Sequence, residues 1–75
     1  MSVPRKRLVS VLVPAFNEEM NVERAYGAIV DVFKELPEYD YEIIFTDNHS
    51  TDRTFSLLRK IAADDPRVRV FRFAR

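Results

Sequence analysis

Tyr41–Thr54 reads YEIIFTDNHSTDRT, and the way this stretch divides decides the fold. Tyr41, Ile43, Ile44 and Phe45 form a short apolar run of the β-branched and aromatic residues that suit a strand. It stops at Thr46-Asp47-Asn48-His49, a polar turn. Ser50-Thr51-Asp52 is then a cluster of helix-capping residue types, and a helical pattern follows it. Strand, polar turn and helix start succeed one another within fourteen residues. In open α/β sheets that junction lies at the carboxyl ends of the strands, where ligands bind. The turn supplies acceptors at Asp47 and Asn48, and the helix start has free backbone N–H groups. The stretch therefore reads as one half of a nucleotide pocket.

Working outward, Leu8–Pro14 (LVSVLVP) is nearly continuous Val and Leu rather than alternating. Such a run suits a strand covered on both faces, as in the middle of a parallel sheet. Pro14 cannot donate to a ladder, so the strand is expected to end there. Ala15–Met20 is a loop, and Asn21 is the expected N-cap of the next helix, with Glu23 favourable in its first turn. Val22, Ala25, Tyr26, Ile29, Phe33 and Leu36 recur at helical spacing and form one apolar stripe. Gly27 interrupts that stripe at a cost of about 1 kcal/mol against Ala, which points to close packing on the sheet. Pro37 ends the helix. The second helix is expected from about Asp52 to Ala63, with Phe55, Leu58, Ile61 and Ala62 inward, and Asp64-Asp65-Pro66 closes it. Val68–Phe73 mixes charge with apolar residues, as an exposed or edge strand does.

The order β-α-β-α-β predicts an α/β fold of Rossmann-like type: a parallel three-stranded sheet, order 3-2-1, with helices packed on it. That order leaves the most apolar strand at a bare edge, which natural proteins avoid. The expectation is therefore a truncated part of a larger domain, with the missing partner strand supplied by further chain or by a second copy through the strand 1 edge.

Composition removes several classes. Lys and Arg number 12 and so do Asp and Glu, so the net charge is zero and the basic patch that drives nucleic-acid binding is missing. There is no cysteine and a single His, which excludes a disulfide framework and any thiolate or multi-histidine metal site. No apolar run approaches membrane-spanning length, and Met1–Arg7 lacks the apolar segment of a signal peptide, so a cytoplasmic location is expected. Arg5-Lys6-Arg7 reads as a solvated flank. One glycine cannot make G-x-G-x-x-G, and no G-K-[ST] is present, so dinucleotide and P-loop folds are disfavoured.

Two polar loops leave adjacent strand ends, Pro14-Ala15-Phe16-Asn17-Glu18-Glu19 and Asp47-Asn48-His49-Ser50. A strand ending in P-A-F-N-E, followed by a second ending in D-N-H-S-T-D-R-T, resembles the opening of the family 2 glycosyltransferases with the GT-A fold. Within them it is most similar to enzymes that move a sugar from a nucleotide onto a polyprenyl (dolichyl or undecaprenyl) phosphate. The resemblance covers Leu8 through Phe73. It implies that Pro14, Ala15, Phe16 and Glu18 line one wall of a nucleotide-binding site and that Asp47 and Asn48 line the other. Much of the family has Asp at the position of Asn48, accepting the N3–H of uracil. The Asn48 carbonyl can accept in the same way while its amide donates to a ring carbonyl, and the resemblance implies a UDP- or GDP-linked donor. The family often carries Gly or Asn where His49 stands, which predicts positive φ at His49.

The resemblance also implies a divalent cation, Mg or Mn, held by a D-x-D motif on a later strand, and a further acidic base toward the acceptor. Neither is visible in these residues, and Asp64-Asp65 precedes Pro66 as a helix end. The expected function is the nucleoside-binding part of a sugar transferase, inactive alone, acting on a lipid-phosphate or saccharide acceptor. The parent enzyme would work at the cytoplasmic face of a membrane. Two other readings stand beside it: a stand-alone Rossmann-like nucleotide or regulatory module, and a structural piece that dimerises through its bare strand.

Overall fold

The computed structural model describes residues 7–73. Strand β1 runs Arg7–Ala15, helix α1 Val22–Lys34, strand β2 Tyr39–Asp47, helix α2 Thr54–Asp64 and strand β3 Val68–Arg72. The strands form one parallel sheet with β2 in the middle, the expected α/β order. The basic flank at Arg5 and Lys6 lies outside the described residues, as do Ala74 and Arg75.

The register explains which side chains meet. Val11, Ile43 and Val68 share one row across the sheet, Val13, Phe45 and Val70 the next, and Ala15, Asp47 and Arg72 the last, at the carboxyl ends. Ile43, Phe45 and Val68 are buried with Val22 of α1 and Leu58 of α2, so both helices pack on this one face. Right-handed crossovers between neighbouring strands taken in the order 1-2-3 require that outcome.

The same geometry corrects the reading of β1. A strand covered on both faces was expected there, but Leu8 is 60% and Leu12 66% exposed. They point to the face opposite the helices, and among the described residues no strand pairs with the far side of β1. Period-two exposure along Arg7–Ala15 shows a half-covered edge strand beneath an apolar sequence. Pro14 stays inside the strand, opposite Thr46, because an edge position spares it a second ladder.

Four local expectations also change. β2 extends from Tyr39 to Asp47, so Asp47 is the last strand residue rather than the first of a turn. Asn21 occupies the N-cap position of α1 without a capping bond from its side chain. Its amide Nδ2 instead donates to Glu18 Oε2 at 3.3 Å, while the Asn21 and Val22 N–H groups are satisfied by the Glu18 carbonyl at 2.8 and 3.0 Å. α2 begins at Thr54, two residues later than expected, because Asp52 closes a short side-chain turn onto the Thr54 N–H at 2.9 Å. Gly27 does not mark close packing: a Cβ there would meet nothing within 4 Å. The open space leaves Gly27 costing α1 about 1 kcal/mol of helix propensity with no contact in return.

The two helices are tied at one end by the Tyr26 hydroxyl, which donates to Asp65 Oδ2. That bond, with desolvation and the nearby carboxylate charge behind it, pushes the Tyr26 phenol up from 10.0 to about 12. The raised value means the neutral phenol is favoured by folding. Its contribution is complete below the ordinary tyrosine value and is lost as pH rises through about 12. An ultraviolet titration of the folded protein is expected to show a tyrosine step near pH 12. Tyr26→Phe should remove that step and lower stability by about 1 kcal/mol in urea unfolding at neutral pH. A Tyr26 that ionises at the ordinary value of 10.0 would contradict the bond.

Candidate functional site

The loops that follow β1 and β2 lie side by side and are joined by a set of short contacts. The Asn48 N–H donates to the Ala15 carbonyl at 3.0 Å, which carries the pairing of β1 and β2 one residue past the strand ends. The Ser50 hydroxyl accepts the Asn17 N–H at 2.9 Å and donates to the Asp47 carboxylate. The Thr54 hydroxyl accepts the Glu18 N–H at 2.7 Å and donates to Asp52 Oδ1 at 2.5 Å. Asn17 Oδ1 returns the favour by accepting the Thr51 N–H at 2.9 Å. The Ser50 and Thr54 hydroxyls thus each accept from the first loop and donate to a carboxylate of the second. A hydroxyl has one proton and two lone pairs, and this is how both are used when the group is buried.

Asp47 anchors the arrangement from below. It is fully buried at the end of β2, and its carboxylate accepts from the Ser50 N–H at 3.3 Å and lies 3.3 Å from Arg72 Nε. A buried charge without such partners would be prohibitive. Asp52 is held differently. Partial desolvation acts to raise its carboxyl, but hydrogen bonds from the Thr54 hydroxyl and N–H and from the Glu19 N–H outweigh this and hold it below its ordinary value.

Two backbone positions have left-handed φ: His49 at 56°, as expected, and Asn17 at 50°. Asn is among the residues that adopt this region most readily, so Asn17 was legible in principle from its place in a tight loop. One left-handed residue lies in each of the two loops.

The six residues expected to line a nucleotide site are placed as follows. Pro14, Ala15 and Glu18 line a crevice of about 160 Å³ with Val13, Asn21, Val22, Ala25 and Phe45, between the end of β1 and the start of α1. Phe16 and Asn48 are exposed on the two adjoining loops, outside that crevice. Asp47 is beneath them, with its oxygens committed to Ser50 and Arg72. The residues the sequence reading left aside are Asn17, Ser50, Thr54 and Arg72, which hold the loops together. The hydroxyl residues around Asp52 in Ser50-Thr51-Asp52-Arg53-Thr54 are the signal; Ser50-Thr51-Asp52 reads as a capping cluster, whereas the Ser50 and Thr54 hydroxyls bind the other loop.

The crevice is apolar apart from the Glu18 carboxylate and the Asn21 amide, and no Lys or Arg lines it. Such a lining suits a ring with hydroxyl donors, not a phosphate. A larger groove of about 290 Å³ runs between the helices, lined by Glu23, Tyr26, Leu57, Lys60, Ile61 and Asp64, and shares no lining residue with the crevice. Among the described residues no three or more His, Asp or Glu side chains cluster as metal ligands, so the residues present do not fit a divalent cation. No described helix is long and apolar enough to cross a membrane.

Ser50→Ala should cost about 1–3 kcal/mol in urea unfolding, since it leaves the buried Asp47 carboxylate and the Asn17 N–H each one partner short. Thr51→Ala, at an exposed position whose contact to Asn17 is made mainly by the backbone, should cost less than about 0.5 kcal/mol. Equal effects of the two substitutions would contradict this division of roles.

Comparison with known proteins meets this geometry from another side. The family model described as Glycosyl transferase family 2 matches residues 10–75. The chain is 35% identical over 66 residues to the uncharacterized glycosyltransferase YkcC of Bacillus subtilis, covering 88% of this chain and 20% of that protein. It is 37% identical over 67 residues to a prophage bactoprenol glucosyl transferase homolog of Escherichia coli, covering 89% and 22%. It is 38% identical over 64 residues to a GalNAc(5)-diNAcBac-PP-undecaprenol beta-1,3-glucosyltransferase of Campylobacter jejuni, covering 84% and 19%. The chain spans about a fifth of the length of these relatives. With two polar loops locked together at the ends of parallel strands, and the family model matching almost from end to end, this chain belongs to glycosyl transferase family 2.

Proposed function

We propose that this chain forms the nucleoside-binding part of a nucleotide-sugar-dependent glycosyltransferase and is inactive alone. The observation that carries the reading is the crevice at the end of β1, where Glu18 is the carboxylate among apolar walls and the Asn48 loop is pinned alongside. A ribose donates hydroxyl protons, which the remaining lone pairs of a carboxylate accept, and a base offers a flat face and a polar edge. Phe16 and Asn48, exposed on the neighbouring loops, are the groups for those two features. At about 160 Å³ the crevice takes only part of a nucleotide sugar. The diphosphate and its cation, Mg or Mn, fall to residues other than those described here, and no bond-breaking step is assigned to this chain. A polyprenyl-phosphate acceptor is supported by the names of relatives that act on bactoprenol- or undecaprenol-linked substrates. A polysaccharide acceptor is the alternative within the same chemistry.

Titration of the isotopically labelled protein with UDP, and separately with GDP, tests the reading. Amide signals of Ala15–Glu18 and Asn48–Ser50 are expected to move, weakly, and more for the base that the Asn48 amide matches. Movement confined to the outer faces of α1 and α2 would sink the proposed pocket.

A second reading concerns assembly, and the exposure of Leu8 and Leu12 beside an open strand edge favours it. Copies of the chain associate through β1, which hides the unpaired backbone groups and apolar side chains that natural sheets do not leave bare. Sedimentation at increasing concentration should reveal a dimer that Leu12→Lys disperses. A wild-type monomer at millimolar concentration would end this reading.

A further inference from the structure

The loop tip that carries Asn48 and His49 is held by a residue from neither motif. Arg72 closes β3, in the same sheet row as Asp47, and its guanidinium makes three separate contacts there. Nε lies 3.3 Å from Asp47 Oδ2, Nη2 donates to the Ser50 carbonyl at 3.1 Å, and the group stacks 4.6 Å from the ring centre of Phe55. The backbone adds a fourth link, the Phe73 N–H to the Asp47 carbonyl at 2.9 Å. Asp47 and Ser50 are the two residues that flank Asn48-His49. One planar group therefore grips both feet of a two-residue arch.

The arch needs a grip. His49 is left-handed at φ 56°, a conformation that side-chain-bearing residues hold only when the surroundings impose it. The Asp47 carboxylate is fully buried and has Arg72 as its cation, while Ser50 supplies neutral donors. Lysine would replace the charge but not the fork: a single ammonium cannot reach both Asp47 and the Ser50 carbonyl in one plane while stacking on Phe55. From Ser50 the linkage runs on to the Asn17 N–H, so the grip of Arg72 reaches the first loop, whose Glu18 lines the crevice.

We propose that Arg72 is a positioning residue for nucleotide binding, setting the Asn48–His49 tip through Asp47 and Ser50. The proposal rests on the nucleoside-binding reading above. Its guanidinium touches no part of the crevice, so its effect on a ligand passes through the loop.

The test compares wild type, Arg72→Lys, Arg72→Gln and the double variant Asp47→Asn/Arg72→Gln. UDP affinity is measured by calorimetry well below each unfolding midpoint, and amide spectra of Asn48 and His49 are recorded without ligand. Arg72→Gln is expected to weaken UDP binding on the order of 10-fold and to shift or broaden both amide signals. Arg72→Lys should recover part of the affinity but not all of it, and the double variant should bind no better than Arg72→Gln although its buried charge is gone. A folded Arg72→Gln that binds UDP within twofold of wild type overturns the proposal. Should Arg72→Gln fail to fold, Arg72→Lys decides: undisturbed Asn48 and His49 signals with unchanged affinity overturn it, and altered signals with weaker binding support it. If wild type itself ignores UDP, the nucleoside reading fails. The ligand-free spectra then judge Arg72 alone, with unmoved signals in both single variants counting against it and moved signals for it.

Discussion

The arrangement at the strand ends depends on a carboxylate with no access to water. Asp47 ends β2 fully buried, in a row with Ala15 and Arg72, and its charge must be answered within the protein. Ser50 answers it with an N–H and a hydroxyl, and Arg72 answers it with a cation. Satisfying that one group draws the β2–α2 loop down onto the sheet and ties the end of β3 to it. The exposed tip, Asn48-His49, is what remains above once its two ends are fixed.

The second loop is recruited by the leftover capacity of the same groups. Ser50 has donated its proton to Asp47 and so can only accept, which it does from the Asn17 N–H. Thr54 repeats the arrangement between Asp52 and the Glu18 N–H. In this way the backbone of the β1–α1 loop, which has no regular partner of its own, is held by side chains of the other loop. A crevice bounded by Glu18 and the β1 end follows from that placement.

The sheet itself explains why the molecule is lopsided. Both crossovers pass over one face, so Ile43, Phe45, Val68, Val22 and Leu58 form a core on that side, while Leu8, Leu12 and Phe71 are exposed. The apolar character of β1 therefore exceeds what the described fold can cover. Only about a fifth of each relative's length is represented, and the surplus concentrates along one strand and one face.

Much of this was written in the sequence by itself. The alternation of strand and helix, the parallel order and the left-handed turn at His49 are local or pairwise properties: side-chain period, proline and acidic punctuation, and the backbone preferences of single residues. The two loops could be placed at neighbouring strand ends because right-handed crossovers leave little choice. What only the tertiary structure decided is how polar groups far apart in the chain share protons. Asp47 reads as an acceptor on a nucleotide wall and is a buried anchor; Ser50 reads as a cap and, like Thr54, is a bridge; Arg72 reads as one more charge on an edge strand. Those roles depend on groups that meet across 22 to 36 residues of chain, and a periodic pattern carries no record of such meetings. Nor could the pattern of β1 reveal its bare face, because apolar sequence marks what a strand is suited to bury, whereas packing determines what it does bury.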